Sequence, residues 1–351
     1  MTVDVLSDLD AIQGLKGDWD RLARGGSPAQ GFIWFEASVR TFGATDSFLV
    51  VVIRDGNHVS ALAPLVRPLK DPRLYGLGAW RIAMPCGFLF ENQEALERLA
   101  NGVASLRRPL VLRRVPAASP IEAALRRAFK PVDIITTAST EWSPYVELDK
   151  SWQEPKNKLK KKRRAELRRA FRVAEQMGTV RTEIVCPGVD DVGPLVEEVF
   201  RVEAAGWKGR ARTDLMFDQL RGDWHRDYAR RAAEIGILRL CVLRIDDRAV
   251  AMEYDVEWDH RLWSLKSGYD EEFRRCSPST LLMYEVIRYA GVQGLEAYEM
   301  LGGMEPYKAV WTSSVHPCIS ARVYPLNAAG LVSLAADGFG FASRLLPGRG
   351  P

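Results

Sequence analysis

Two short hairpin signals, 191 residues apart, constrain this chain more than any other feature. Residues 48–54 and 59–66 are β-rich and flank Asp55-Gly56-Asn57; residues 238–245 and 249–257 are β-rich and flank Asp246-Asp247-Arg248. Runs of that kind joined by Asp, Gly and Asn read as antiparallel hairpins. Two helical patterns feed each hairpin: 9–22 and 32–42 before the first, 192–205 and 217–235 before the second. Equating Asp55 with Asp246 pairs Val59 with Val250 and Ala61 with Met252. A unit of helices feeding a hairpin, met twice, predicts a duplicated α+β fold, not a doubly wound parallel sheet. The expected partition is 1–150, a basic helical connector 151–180, a second half 181–330 and a C-terminal tail 331–351.

The 351 residues are enough for two domains, and 47% apolar with 27% charged residues excludes collagen-like and wholly disordered chains. No apolar run reaches the roughly 18 residues of a membrane helix. The N-terminal MTVDVLSDLD is acidic where a secretory signal is basic and then apolar, so a cytoplasmic protein is expected. Five scattered cysteines form no CxxC, and four histidines form no HExxH. No disulfide framework and no metal site are expected. A serine-hydrolase GxSxG elbow is also absent.

Charge is concentrated in one place. Residues 156–172 hold ten Lys/Arg against Glu166 alone, a net of +9 in a chain whose total is +4, which leaves −5 elsewhere. Lys156, Lys160, Arg164, Arg168 and Arg172 recur every four residues, while Leu159, Leu167, Ala170, Phe171 and Ala174 make a narrow apolar stripe. Such a run is commonly a solvated face. Like charges at i,i+4 repel by a few tenths of a kcal/mol, roughly, and an anionic partner relieves that. The partners in question are phosphate, an acidic glycan, RNA or an anionic membrane surface.

Four motifs bear on chemistry. Arg73-Leu-Tyr-Gly76-Leu-Gly78 matches the R-x-x-G-x-G turn that cradles a pyrophosphate, but Pro64, Pro68 and Pro85 surround it and no helix starts there. It reads as a loop and strand edge. Arg274-Arg275-Cys276-Ser277-Pro278-Ser279-Thr280 is better placed, after the strand-like 261–267 and at the start of the helical 279–292. Ser, Thr and Pro suit a helix start, and four free amides with two arginines would attract a diphosphate. An ordinary helix cap accounts for the same residues. Downstream, Glu299 at a strand end and Tyr307-Lys308 after Gly302-Gly303 bring titratable groups into one region. A carboxylate there can take a proton from an attacking amine or hydroxyl, and a phenol can give one to a departing thiolate. The plain alternative is that Tyr307 and Trp311 pack on the sheet while Lys308 is solvated. Trp207-Lys208-Gly209, read as the end of the 192–205 helix, is either a packed corner or a substrate rim.

In order along the chain, Trp19-Asp-Arg-Leu, 32–43, Ala63-Pro-Leu65, Lys160-Lys-Lys-Arg-Arg with Glu166-Leu-Arg-Arg169, Trp207-Lys-Gly209, Ser277-Pro278 with Leu281-Leu282, and Leu301-Gly with Glu305-Pro-Tyr-Lys308 resemble the CelD-like acetyltransferases of the GNAT superfamily. These are proteins associated with cellulose and exopolysaccharide synthesis. The chain is similar, more distantly, to the Fem-type peptidyltransferases. The resemblance spans nearly the whole chain and is most specific at Ser277-Pro278…Leu281-Leu282 and Glu305–Lys308. It implies a tandem GNAT-like fold of two mixed, mainly antiparallel sheets flanked by helices, with acyl transfer from acetyl-CoA or another acyl-CoA. It places coenzyme A on Arg274, Arg275, Ser277, Ser279 and Thr280, the catalytic groups at Glu299, Tyr307 and Lys308, and substrate contacts at Trp207 and Lys208. Ser279 stands where the family usually has Gly, Glu299 where Asp is common, and Met304 where an acid often stands.

The expected function is acyl transfer to an amine or hydroxyl of a sugar, polysaccharide precursor or other small metabolite. Glu299 is the expected base and Tyr307 the acid. The competing expectations are a Fem-like transferase using aminoacyl-tRNA, and a non-catalytic anion-binding scaffold.

Overall fold

The structure is a computed structural model that describes residues 2–82, 84–140 and 143–345. It forms two compact units, one holding the described residues of 1–141 and 317–351, the other those of 142–316. The strands are β1 (Thr2–Leu6), β2 (Asp46–Asp55), β3 (His58–Pro68), β4 (Leu74–Gly76), β5 (Leu89–Phe90), β6 (Leu110–Pro116), β7 (Ile134–Ser139), β8 (Ser143–Glu147), β9 (Val180–Val185), β10 (Leu238–Ile245), β11 (Arg248–Trp258), β12 (Arg261–Tyr269), β13 (Ala297–Glu299), β14 (Val315–His316) and β15 (Cys318–Tyr324). The helices are α1 (Leu9–Gln13), α2 (Lys16–Leu22), α3 (Phe32–Phe42), α4 (Gln93–Ser105), α5 (Ile121–Ala128), α6 (Lys161–Glu175), α7 (Val192–Ala204), α8 (Trp207–Arg210), α9 (Gln219–Glu234), α10 (Pro278–Val292) and α11 (Ala328–Leu345).

The duplication is present in full. The first sheet runs β1-β2-β3-β4-β6-β15-β7, with β5 beside β3, and the second runs β9-β10-β11-β12-β13-β8-β14. The pairings match step for step: β4 with β6 and β12 with β13 are parallel, and the other pairs in both paths are antiparallel. Each parallel pair is spanned by one helix, α4 in the first unit and α10 in the second.

The register corrects the sequence alignment by one residue. Asp55 pairs with His58 and Ile245 with Arg248, and both hairpins shift register two residues before the turn, between Ile53 and Arg54 and between Leu243 and Arg244. The structural offset is therefore 190. Gly56, at φ +58°, corresponds to Asp246, at φ +52°. Matching the two aspartates put identical letters on opposite faces of the sheet, because one residue of slip inverts every side chain.

The linear partition is also modified. Strand 318–324, assigned from sequence to the second half, lies in the first sheet between β6 and β7. Strand β8, before the basic helix, lies in the second sheet between β13 and β14. Residues 331–345 of the expected tail belong to helix α11 (Ala328–Leu345), which lies against β15; residues 346–351 of that tail lie outside the described residues. The basic segment is shorter as a helix than expected. Lys160 is the N-cap of α6 and residues 155–158 form a separate turn, so Lys156 is not on its face.

Each core is a helix laid on its sheet. In the first unit Leu96, Leu99, Ala100 and Val103 of α4 pack on Val51, Ile53, Ala61 and Ala63. In the second, Leu281, Leu282, Val286 and Ile287 of α10 join Tyr298, Leu262 and Leu243, and α6 adds Leu167, Ala170 and Ala174. Burying each of these large aliphatic side chains stabilises the fold by about 1.5–3 kcal/mol. That packing anchors α6 and α10, whose polar faces build the site.

Candidate active site

The second sheet opens beside α10. Strand β12 pairs with β11 along its length, but with β13 only through Arg261, Leu262 and Trp263. The edge of β12 from Ser264 to Tyr269 is thus left without a β13 partner. A cleft of about 580 Å³ has Ser267, Gly268 and Tyr269 of that edge in its wall. The wall also holds Arg274, Ser277, Ser279 and Thr280 at the start of α10, Trp207 and Lys208 of α8, Tyr307, and three acids, Glu203, Glu253 and Glu305.

The α10 start is a built turn. Ser277 adopts a left-handed conformation, φ +50° and ψ +57°, rare for a residue with a Cβ, and caps the helix before Pro278. The expected four free amides reduce to one. Pro278 has no N–H, Ser277 donates to the Arg274 carbonyl and Thr280 donates to the Ser277 carbonyl. Only Ser279 has no backbone acceptor among the described residues. Arg274 forms no ion pair with a described acid. Donors therefore line this wall: one amide, three hydroxyls and a guanidinium.

The same cleft holds a carboxylate that the sequence reading did not single out. Glu253 is 2% exposed and accepts a 2.6 Å hydrogen bond from the Tyr298 hydroxyl. Burial raises its carboxyl to about 7, against the hydrogen bonds from Tyr298, Ser264 and Asp255 that hold it down. Asp255, two residues on and wholly buried, is driven far up, by burial first and then by the Glu253 charge. Burial thus raises both carboxyls of the pair, Asp255 more strongly than Glu253. Tyr307 is pushed up to about 12, mainly by burial and next by the Glu305 charge, so its hydroxyl stays protonated.

No curated protein matches the sequence. Residues 161–309 match the model of a family described as the acetyltransferase (GNAT) domain. Several solved structures share the fold over most of the chain. One is FemX, at 14% identity and a TM-score of 0.60, covering 94% of this chain and 99% of that one. Another is a tandem GNAT protein from the clavulanic acid biosynthesis pathway, at 13% identity and a TM-score of 0.53, covering 92% and 98%. A third is the C-terminal domain of a putative lysylphosphatidylglycerol synthetase from Agrobacterium fabrum, at 12% identity and a TM-score of 0.53, covering 86% and 94%.

The chain has a tandem GNAT fold. Its matched GNAT domain lies wholly in the second unit, with the cleft just described. Of the residues singled out from sequence, the GNAT cleft gathers Arg274, Ser277, Ser279, Thr280, Tyr307, Trp207 and Lys208. Three others are elsewhere. Glu299 does not line the cleft: its side chain is fully buried, and Oε1 is held by Arg261 at 2.8 Å and His316 at 3.2 Å. Arg275 faces a different cavity, beside α6. Lys308 is not solvated; it is 4% exposed and donates to the carbonyls of Leu301, at 2.5 Å, and Gly303, at 3.1 Å, with Glu305 as ion partner at 2.6 Å. It ties down the loop that carries Tyr307.

Trp207 opens the short helix α8 of the GNAT domain and does not close α7, and it is 55% exposed at the cleft rim. A Cβ on Gly209 would overlap the Ala204 carbonyl oxygen, so only glycine lets α8 fold back on the end of α7. Lys208 reaches inward from that turn, donating to Glu203 at 2.8 Å and to the Ser267 carbonyl at 2.9 Å. Glu203 also accepts from the Leu215 amide and faces Lys266 at 3.7 Å. Burial lowers Lys266 to about 8, partly offset by Glu203. Among the described residues there is no group of three or more His, Cys, Asp or Glu that could hold a metal ion. No described helix is long and apolar enough to cross a membrane.

Proposed function

We propose that the second unit transfers an acyl group from a coenzyme A thioester to an amine or hydroxyl acceptor, a sugar or polysaccharide precursor among the classes that fit. The observation that carries this reading is one cleft in which a donor-lined helix start, a carboxyl that titrates near 7 and a protonated phenol meet on an unpaired strand edge. The Ser279 amide, the Ser277 and Thr280 hydroxyls and Arg274 fit a diphosphate, since all of them donate. When bound, the thioester supplies an activated acyl carbon. Glu253 takes a proton from the acceptor as its nitrogen or oxygen attacks. The C–S bond breaks as the new C–N or C–O bond forms, and Tyr307 gives its proton to the leaving sulfur. Positioning supplies much of the remaining acceleration. Glu253 thus takes the base role that Glu299 was expected to fill.

The test is thiol release from acetyl-CoA with a panel of amines and amino sugars. Acceptor-dependent release that is lost in Glu253→Gln supports the reading; no release with any acceptor removes the catalytic account and leaves an anion-binding scaffold.

A second reading, transfer from aminoacyl-tRNA, draws on α6. Lys161, Lys162, Arg164, Arg168, Arg169 and Arg172 are exposed and make no ion pair with a described acid, and only Arg163 is matched, by Glu166. Arginines elsewhere are mostly paired, as Arg244 with Glu183 and Glu198 shows. Binding of tRNA that weakens steeply with salt, and is lost when Arg164, Arg168 and Arg172 become Gln, would favour this reading over the first.

A further inference from the structure

A second cavity of about 390 Å³ shares Ser277 and Thr280 with the acyl cleft and lies between α6 and the start of α10. Arg163 and Arg169 of α6, Arg275 of the turn and Trp311 stand in its wall. The one acid there, Glu166, is already held by Arg163 at 2.7 Å. Arg169 and Arg275 have no such partner among the described residues. Trp311 is 6% exposed, and its indole nitrogen is buried with no hydrogen-bond partner. Two free guanidiniums and a threonine hydroxyl in one wall match a dianionic group with three terminal oxygens.

We infer that this cavity is a phosphate-monoester subsite, which holds the ribose phosphate at the nucleotide end of the acyl donor while the diphosphate occupies the start of α10. The inference rests on the coenzyme A reading above. Sharing Ser277 and Thr280 makes the two cavities adjoining parts of one donor path, with the thioester in the cleft and the phosphorylated ribose against α6. It also gives Arg169 and Arg275 a use that the acyl cleft itself does not.

Titration calorimetry on the full chain with coenzyme A and with 3′-dephospho-coenzyme A tests it. The wild type is expected to bind coenzyme A about tenfold tighter than the dephospho form, as an added charge-assisted contact allows. The double variant Arg169→Gln, Arg275→Gln is expected to bind both at the dephospho level. Equal wild-type affinities, or a preference that survives in the double variant, would overturn the subsite and leave the acyltransferase reading standing. Failure of both ligands to bind would overturn the two together.

Discussion

Tyr298 of β13 donates its hydroxyl to Glu253 of β11 across the intervening strand β12, at 2.6 Å, with both side chains buried. The bond crosses the sheet where β12 and β13 are still near their parallel pairing, one residue before the last paired position. It therefore fixes the carboxylate at the closed end of the opening. It also stabilises the charged form of a group that burial disfavours.

Removing that bond should move the acid limb of catalysis. A base must be deprotonated to act, so kcat/KM is expected to rise with pH through about 7, the Glu253 value. Tyr298→Phe removes a donor to the carboxylate and should shift the rising limb to higher pH. Glu253→Gln should cut kcat by about 10²–10⁴-fold with the fold retained, measured by thiol release and circular dichroism.

Stability carries the same signature without any substrate. The carboxyl of Glu253 is raised from 4.5 to about 7 on folding, so the folded state binds the proton more tightly than the unfolded chain. Relative to Glu253→Gln, the wild type should lose stability as pH rises from about 4.5 to about 7, and regain it on acidification through the same window. Melting curves of both proteins across that range check the sign.

Glu299 is expected to behave as a structural residue. Glu299→Ala leaves Arg261 and His316 without their shared carboxylate, but both remain partly exposed to water. A loss of about 1–3 kcal/mol is expected, with kcat of the folded fraction within a few-fold of wild type. A collapse of kcat in Glu299→Gln with normal melting would return the base role to it.

Two substitutions test what positions the rim. Lys308→Met removes the donor to the Leu301 and Gly303 carbonyls around a turn with φ of +48° at Leu301 and +67° at Gly302. Loss of about 1–3 kcal/mol and a lower kcat through a misplaced Tyr307 are expected. Gly209→Ala forces α8 off the Ala204 carbonyl, costing about 1–3 kcal/mol and weakening acceptor binding near Trp207. Chemical denaturation and the separate effects on KM and kcat read both.

Much of the fold was legible because its signals are local. The turns at Asp55-Gly56-Asn57 and Asp246-Asp247, and the bounds of α3, α7 and β15, follow from periodicity and turn chemistry. The pairing of β8 and β15 was not legible: each sits between strands distant in sequence, and nothing in 143–147 or 318–324 names its neighbours. The α10 start was found because Arg274, Ser277, Pro278 and Thr280 cluster in sequence. Glu253 was missed because β11 reads as an apolar strand. Its signal was still there, since Glu253 and Asp255 are acids two apart on one face of a strand flanked by Val250, Met252, Tyr254 and Val256. Glu299 was singled out as a strand-end acid beside glycines; that Arg261 and His316 hold its Oε1 away from the cleft wall depends on pairings that no local pattern carries.

The most direct measurement is calorimetric titration of acetyl-CoA into the wild type and into Ser279→Phe, which fills the mouth of the cleft at the one free amide. Saturable binding of one equivalent by the wild type, weakened at least about tenfold in the variant at an unchanged melting temperature, is the predicted result. No binding by the wild type, or equal affinity in the two proteins, would contradict the account.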